Sequence, residues 1–386
     1  MIERTLASRL TELLTKFPIL SLTGPRQSGK TTLLRQLLPN YRYVSLENPD
    51  ELDFALSDPR RFLDTYSGQV IFDEVQRAPK LFNYLQQRVD ESRQMGQYIL
   101  SGSQDFLLMK GITQSLAGRV AIFRLFPFSF GELQTVDLLA TTPERAMFTG
   151  FYPPVFDRGL HPSDFYANYF ETYVQRDVRE LQAVQNLTLF RTFVRLAAGR
   201  VGQPINYQKL ASDVGIAATT AREWLSILET SHLVFMLPSY YKNFSKRLIK
   251  SPKLYFYDVG LASYLLGIKQ EEELITHHFR GNLFENMLAA ELVKQGYNRN
   301  EPNELYFWQE SNGHEIDILL EKSGGVLIGE IKSAGTINAS FFDNLAWFQQ
   351  QTDVPVLEAY LWYAGNESQI RRSATVMPWH QVGLIK

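Results

Sequence analysis

The 386-residue chain contains no cysteine and only 6 histidines. Disulfides, thiolate metal sites and thiol nucleophiles are excluded, and a zinc site would have to use histidine and carboxylate alone. No stretch approaches the ~18 uncharged apolar residues of a membrane-spanning helix. The N-terminal MIERTLASRLTELLTKF is amphipathic and lacks the apolar core of a secretory signal. These absences point to a cytoplasmic protein with no membrane partner. An excess of one charge is also missing: 39 Lys+Arg against 41 Asp+Glu leave −2. A globally basic nucleic-acid coat is thereby excluded, although a local basic patch is not.

What is present is ordinary in bulk. The chain is 45% hydrophobic and 21% charged, enough for a sizeable core, and its length suits two or three domains. Three segments are expected, at 1–150, 151–270 and 271–386. In the first, the apolar runs PILSLT, YVSL, QVIFDE and YILSGS alternate with helical patterns, which predicts a parallel α/β sheet with helices on both faces. Pro153 and Pro154 punctuate its end. The second segment reads as mostly helical. The third reads as a helix (NLFENMLAAELVKQG), three strands (ELYFWQE, HEIDILLE, GVLIGEIKS), a helix around FFDNLAWFQQQ and a last strand around LEAYLWY.

Gly24-Pro25-Arg26-Gln27-Ser28-Gly29-Lys30-Thr31 fits G-x-x-x-x-G-K-[ST], with Thr32 following. The spacing suits a triphosphate. Glycines let main-chain N–H groups curl round a phosphate, Lys30 reaches the β- and γ-phosphates, and the Thr31 hydroxyl can ligate Mg²⁺. The next helix turns its positive end to the anion. Val70-Ile71-Phe72-Asp73-Glu74 is an apolar strand ending in paired acids. Asp73 suits the Mg²⁺ shell, and Glu74 suits the base that orients and deprotonates water. Ser103 or Gln104, closing the YILSGSQ run, could sense the γ-phosphate. Arg119 fits either an arginine finger acting on a neighbouring subunit, which would require a homo-oligomer, or a surface salt bridge.

GPRQSGKTTLL, VIFDEVQRAP, LSGSQDFLL and SLAGRV together resemble the N-terminal ATPase domain of a large group of prokaryotic AAA-type ATPases. YVQRDVREL, the helical pair near 206–230 and GNLFENMLAAEL…EID…EIKS resemble that group's C-terminal region, domain of unknown function 4143. The resemblance runs along essentially the whole chain. It implies ATP binding with hydrolysis and an AAA-like core, and it supplies no settled substrate.

Two further patterns concern DNA. Helices INYQKLASDVG and AATTAREWLSILETS, joined at Gly215-Ile216 and followed by HLVFMLP, resemble a winged helix-turn-helix. The second helix, with Thr219, Thr220, Arg222 and Glu223 on its exposed face, would be the recognition helix. The segment 240–253 carries Lys242, Lys246, Arg247, Lys250 and Lys253 among Tyr240, Tyr241 and Phe244, without an acid. That composition suits a basic wing on DNA or a solvated hairpin. Glu285 in a helix, Asp317 in one strand and Glu330-Ile331-Lys332 in the next follow the PD-(D/E)XK nuclease pattern. Asp317, Glu330 and Glu285 would bind Mg²⁺, and Lys332 would position water. His314 could assist proton transfer or serve structurally. The leading expectation is a Mg²⁺-dependent ATPase coupled to DNA binding or remodelling. The alternatives are an ATP-controlled DNA nuclease and a nucleotide-dependent switch that recruits a protein partner.

Overall fold

Along the short strands of the N-terminal region, successive apolar side chains turn to opposite faces and feed two apolar layers. In the computed structural model, which describes residues 2–103, 105–173, 184, 186–240, 251–310 and 312–384, these strands form one parallel sheet. They are β1 (Ile19–Thr23), β2 (Arg42–Ser45), β3 (Val70–Asp73), β4 (Tyr98–Ser101) and β5 (Val120–Arg124), in the order β2-β3-β4-β1-β5. Helices cover both faces: α1 (Leu6–Leu14), α2 (Lys30–Leu37), α3 (Pro49–Ser57), α4 (Pro59–Thr65), α5 (Leu81–Ser92) and α6 (Asp105–Ser115). Ile71 and Ile99 turn to one face, where Leu10 of α1 and Leu34 of α2 lie. Their neighbours Phe72, Tyr98 and Leu100 turn to the other, with Phe62 of α4 and Leu85 of α5. This is the two-residue period of a strand buried on both sides. The expected α/β sheet is present. The edge strand β5, which sequence reading did not anticipate, completes it.

The chain divides into two compact units. One comprises Met1–Phe128 with Thr230–His232 and Gly296–Glu301, and the other comprises Ser129–Glu229, Leu233–Gln295 and Pro302–Lys386. The second unit begins with short helices α7 (Phe130–Gln134), α8 (Pro143–Thr149) and α9 (Pro153–Asp157), then α10 (Pro162–Tyr173) and α11 (Leu187–Ala198). Pro153 and Pro154 open α9 at its first turn, where a missing N–H costs nothing.

Helices α12 (Tyr207–Val214) and α13 (Ala218–Thr230) are joined at Gly215, whose φ of 82° caps α12. Trp224 of α13 packs its ring against Phe190 and Phe193 of α11. The antiparallel pair β6 (Val234–Leu237) and β7 (Lys253–Phe256) follows.

After α14 (Val259–Leu265) and α15 (Glu273–Thr276) comes the long α16 (Arg280–Arg299). The fully buried Asn286 of α16 bonds both the N–H and the carbonyl of Phe256, which fixes the helix against β7. A six-stranded mixed sheet follows: β8 (Leu305–Gln309), β9 (Glu315–Lys322), β10 (Gly325–Lys332), β11 (Val356–Tyr363), β12 (Gln369–Ile370) and β13 (Thr375–Pro378). β8, β9 and β10 run antiparallel. The crossover helix α17 (Asp343–Gln351) makes β11 parallel to β10. Leu345 and Phe348 of α17 share a core with Trp308, Ile328 and Leu361.

Gln104, the segment 241–250 and residues 174–183 (within YVQRDVREL and beyond) lie outside the described residues, so the Gln104 reading and most of the basic wing have no structural counterpart here. The wing's two ends need correction. Tyr240 and Lys253 are 3% and 2% exposed. Tyr240 stacks edge-on against Tyr306, and Lys253 is an interior ion-pair partner, so neither is free to touch a phosphate.

Candidate functional site

In the first unit, β1, β3 and β4 end side by side: Leu22 and Asp73 both pair with Ser101. The loop after β1 returns through two left-handed residues, Gln27 (φ 60°) and Gly29 (φ 94°). Gly24 (φ 139°) presses so closely on the segment after β5 that a β-carbon there would lie 2.1 Å from the Leu125 carbonyl oxygen. Gly29 caps α2 without a side-chain acceptor, so the first-turn N–H groups of α2 have no capping oxygen. Buried Arg4 staples the loop by donating to the Ser28 carbonyl (2.8 Å) and the Phe126 carbonyl (2.6 Å). Nothing in the sequence pointed to Arg4.

Lys30 is 7% exposed, and its ammonium donates to the Gly24 and Pro25 carbonyls, each at 2.8 Å, which draws the loop shut over it. Thr31 Oγ1 donates to Asp73 Oδ2 (3.0 Å), and the Tyr43 hydroxyl donates to the same oxygen. Burial, followed by the Asp73 carboxylate, raises the Tyr43 phenol above its usual range, so it stays a donor. Glu74 sits in a left-handed conformation (φ 55°). Its Oε2 accepts from Ser103 Oγ (3.2 Å) and from Gln76 Nε2. Thus Lys30, Thr31, Asp73, Glu74 and Ser103 come together as the sequence suggested. Tyr43 and Gln76 join them unannounced.

The loop suits a polyphosphate. It combines a glycine cradle that a β-carbon would fill, a ring of N–H groups at a helix start, and a buried Ser28 hydroxyl with no partner. The Thr31 and Asp73 oxygens, already 3.0 Å apart, form the hard-oxygen pair that suits Mg²⁺. Arg119 lies at the opposite edge of the sheet, just before the β5 residue that pairs with Ile19. Asp90 holds it through two hydrogen bonds, at 2.6 and 2.9 Å.

In the second unit, carboxylates meet where α16, β9 and β10 converge. One oxygen each of Glu285, Glu315 and Asp317 lie within 4.8 Å of one another. Glu285 and Asp317 were expected there. Glu315 was overlooked, although its place two residues before Asp317 on one strand puts both on one face. Asp317 Oδ2 accepts from the Ile331 N–H (2.7 Å). Glu330 Oε1 accepts from Lys332 Nζ (2.6 Å) and Asn344 Nδ2 (3.3 Å), while buried Glu330 Oε2 has no hydrogen-bond partner.

Lys253 of β7 enters the same cluster. Its Nζ is 2.9 Å from Glu285 Oε1 and paired to Glu315 as well, and Tyr255 donates to that Glu285 oxygen at 2.5 Å. Burial, with Asp317 adding and Lys253 opposing, pushes Glu285 up to about 7. Burial and the Asp317 charge, against Lys332, push Glu330 up to about 8. His314 stacks flat on Trp347 (4.1 Å, 9°) and bonds Asn344 Oδ1 at 3.2 Å, as a structural side chain does. Two of the three convergent carboxylates, Glu285 and Glu315, thus already hold one ammonium.

Residues 16–134 match the profile of an AAA domain. Residues 141–272 match a domain of unknown function (DUF8612), and residues 280–382 match another, DUF4143. Uncharacterized proteins of Mycobacterium tuberculosis and Mycobacterium bovis are each 32% identical over 341 residues, spanning 87% of this chain and 75% of theirs. Among solved structures, the chain is similar to a Walker-type ATPase of Pyrococcus abyssi (16% identity, TM-score 0.45, 69% of this chain and 96% of that one). It is also similar to a RuvB variant of Thermotoga maritima (18%, TM-score 0.27, 61% and 90%). No helix among the described residues is long and apolar enough to cross a membrane. The chain belongs to the family of AAA-type P-loop ATPases that carry a C-terminal domain of unknown function (DUF4143).

Proposed function

We propose that the first unit binds Mg·ATP and hydrolyses its terminal anhydride. The observation that carries this is the closed glycine loop beside the Thr31–Asp73 pair, with Glu74 at the same sheet edge. Gly24 to Thr32 would wrap the phosphates, with Lys30 exchanging its two loop carbonyls for phosphate oxygens. Thr31 and Asp73 would hold the Mg²⁺, which supplies positive charge to the phosphate oxygens. Glu74, held by Ser103 and Gln76, takes a proton from the attacking water. The water oxygen bonds to the γ-phosphorus, the bond to the β–γ bridging oxygen breaks, and ADP and phosphate leave. Arg119 is partly exposed and would stabilise transition-state charge only in a homo-oligomer, after releasing Asp90. Lys30→Ala is expected to lower ATP turnover by about 10²–10³-fold, a typical loss for one such donor. Turnover of Lys30→Ala equal to wild type, measured by phosphate release, would refute the assignment.

A role on DNA is the second part of the reading, favoured by the α12–Gly215–α13 pair followed by the β6–β7 hairpin. Thr219, Arg222 and Glu223 are exposed on α13, as a helix that reads a groove requires. The order α16-β8-β9-β10-α17-β11, with β10 parallel only to the strand after the crossover, supports a PD-(D/E)XK-like core beside it. We assign that core DNA contact without cleavage. Fluorescence anisotropy with single-stranded, duplex and junction DNA tests this. Affinity should fall with salt and with Arg222→Ala, and ATP turnover should rise with the preferred form. Absence of binding to all three in low salt would point instead to a nucleotide switch for a protein partner.

A further inference from the structure

Lys253 is the least expected member of the second unit's carboxylate cluster. It belongs to a run of basic residues, yet only 2% of its surface is exposed. Its backbone is fixed by pairing to Leu237 in β6 and by a bridge to Pro204. Its ammonium bonds Glu285 Oε1 at 2.9 Å, pairs with Glu315, and lies 5.3 Å from the centre of the Phe307 ring. These are two of the three carboxylates whose oxygens converge within 4.8 Å.

We infer that the Lys253 ammonium is the built-in cation of this cluster, standing where a divalent metal would otherwise bind, so that the cluster takes up no divalent ion while Lys253 is in place.

Each of the three carboxylates already accepts a donor. Glu285 Oε1 receives Lys253 and Tyr255, Glu315 Oε1 receives Lys253 while its Oε2 accepts from Gln309, and Asp317 Oδ2 receives the Ile331 N–H. A divalent ion needs several such oxygens within ~2.0–2.6 Å. It cannot reach them with an ammonium on the same atoms, because two cations at that separation repel strongly in a poorly solvated interior. A surface lysine could swing aside. Lys253 has no such freedom, since its backbone is held on both sides and its stem is enclosed, and it would have to take its own charge into the interior away from Glu285 and Glu315. The inference rests on the nuclease-like reading of this unit and gives it a consequence. The fold is kept, and the positive charge at its centre is supplied by the chain itself.

The test is Mn²⁺ titration of the nucleotide-free full-length chain by calorimetry, on wild type, Asp317→Asn, Lys253→Met and Lys253→Met/Asp317→Asn. Circular dichroism serves as the folding control. The expected result is identical isotherms for wild type and Asp317→Asn, and one new saturable site in Lys253→Met that the double variant loses. A wild-type site that disappears in Asp317→Asn overturns the inference and leaves the nuclease-like reading standing. A folded Lys253→Met with no new site overturns it differently: the carboxylates are then no metal-type constellation, and the reading beneath fails too. If Lys253→Met does not fold, the wild-type and Asp317→Asn pair still decides, since the inference forbids any Asp317-dependent Mn²⁺ binding.

Discussion

Gly24→Ala isolates the main-chain packing on which the nucleotide loop depends. A β-carbon at Gly24 falls 2.1 Å from the Leu125 carbonyl oxygen, whereas ordinary contact is 3.4–4 Å. One of two backbones must then give by roughly 1 Å, an overpacking cost of about 1–3 kcal/mol. The φ of 139° adds strain for any L side chain, about 1–3 kcal/mol more. The sum, roughly 2–6 kcal/mol, is a large share of a domain's stability. At about 3 °C per kcal/mol it lowers the unfolding midpoint by roughly 6–18 °C. Gly118→Ala supplies the comparison. Its φ is also positive, at 77°, but nothing lies within 4 Å of the added carbon. It should show the backbone part alone, about 1–2 kcal/mol or roughly 3–6 °C. Calorimetry on both variants reads the difference, and a fluorescent ATP analogue reads loop geometry. Gly24→Ala should weaken nucleotide binding, and Gly118→Ala should not. If Gly24→Ala melts no lower than Gly118→Ala and binds nucleotide as wild type does, the close approach to Leu125 is not what shapes the loop.

Two other perturbations address single side chains. Arg119→Ala removes a solvent-screened ion pair with Asp90 and should leave the unfolding midpoint essentially unchanged, while lowering ATP turnover at least about tenfold at unchanged nucleotide affinity; unchanged turnover would reduce Arg119 to a surface partner of Asp90. Asp258 is buried and accepts from Tyr166 (2.6 Å), the Phe151 N–H (2.7 Å) and the Leu261 N–H (3.0 Å), and burial raises its carboxyl above the ordinary 3.8 despite those donors. The folded state therefore keeps a proton that the unfolded chain has released, so this group's contribution to stability is full below 3.8 and declines as pH rises through its folded value. Asp258→Ala should destabilise the second unit by about 3 kcal/mol or more, through two or three stranded donors and a lost cap on α14. Melting at pH 5 and pH 7.5 should show that penalty no larger at the higher pH, and a penalty that grows with pH would contradict the sign.

β1, β3 and β4 were legible because each is a short apolar run with polar flanks, and burial on both faces leaves that pattern intact; β2, at one edge, was legible from its YVSL run despite partial exposure. β5, at the sheet's other edge, escaped although Val120–Phe123 is a run of four apolar residues; in the fold these are alternately half-buried and buried. The strand order β2-β3-β4-β1-β5 follows from packing between segments far apart in the chain, which no local pattern records. In the second unit the same distinction holds. Gly215 announced its turn through backbone chemistry, whereas β12 and β13 are too short to carry a period of their own.

The two candidate sites differ in legibility for a related reason. A phosphate loop is recognised by main-chain groups, so its requirements fall on consecutive residues and survive in the linear sequence from Gly24 to Thr31. Its supports do not: Arg4 reaches Ser28 from 24 residues away and Phe126 from 122, and Tyr43 reaches Asp73 from 30. The carboxylate cluster is assembled from side chains on four elements. Lys253 shows how far this can mislead. Among Lys242, Lys246, Arg247 and Lys250 its charge argues for solvent, because charge and local composition are all a sequence displays. Strand pairing with β6 buries the backbone that carries it, and once the stem is enclosed the ammonium must find its anions inside. The identity of its partners, Glu285 and Glu315, then decides whether the cluster can hold a metal at all. A motif of acids and a lysine read along β9 and β10 thus specifies a fold, while the chemistry turns on a residue from β7 that the motif does not contain.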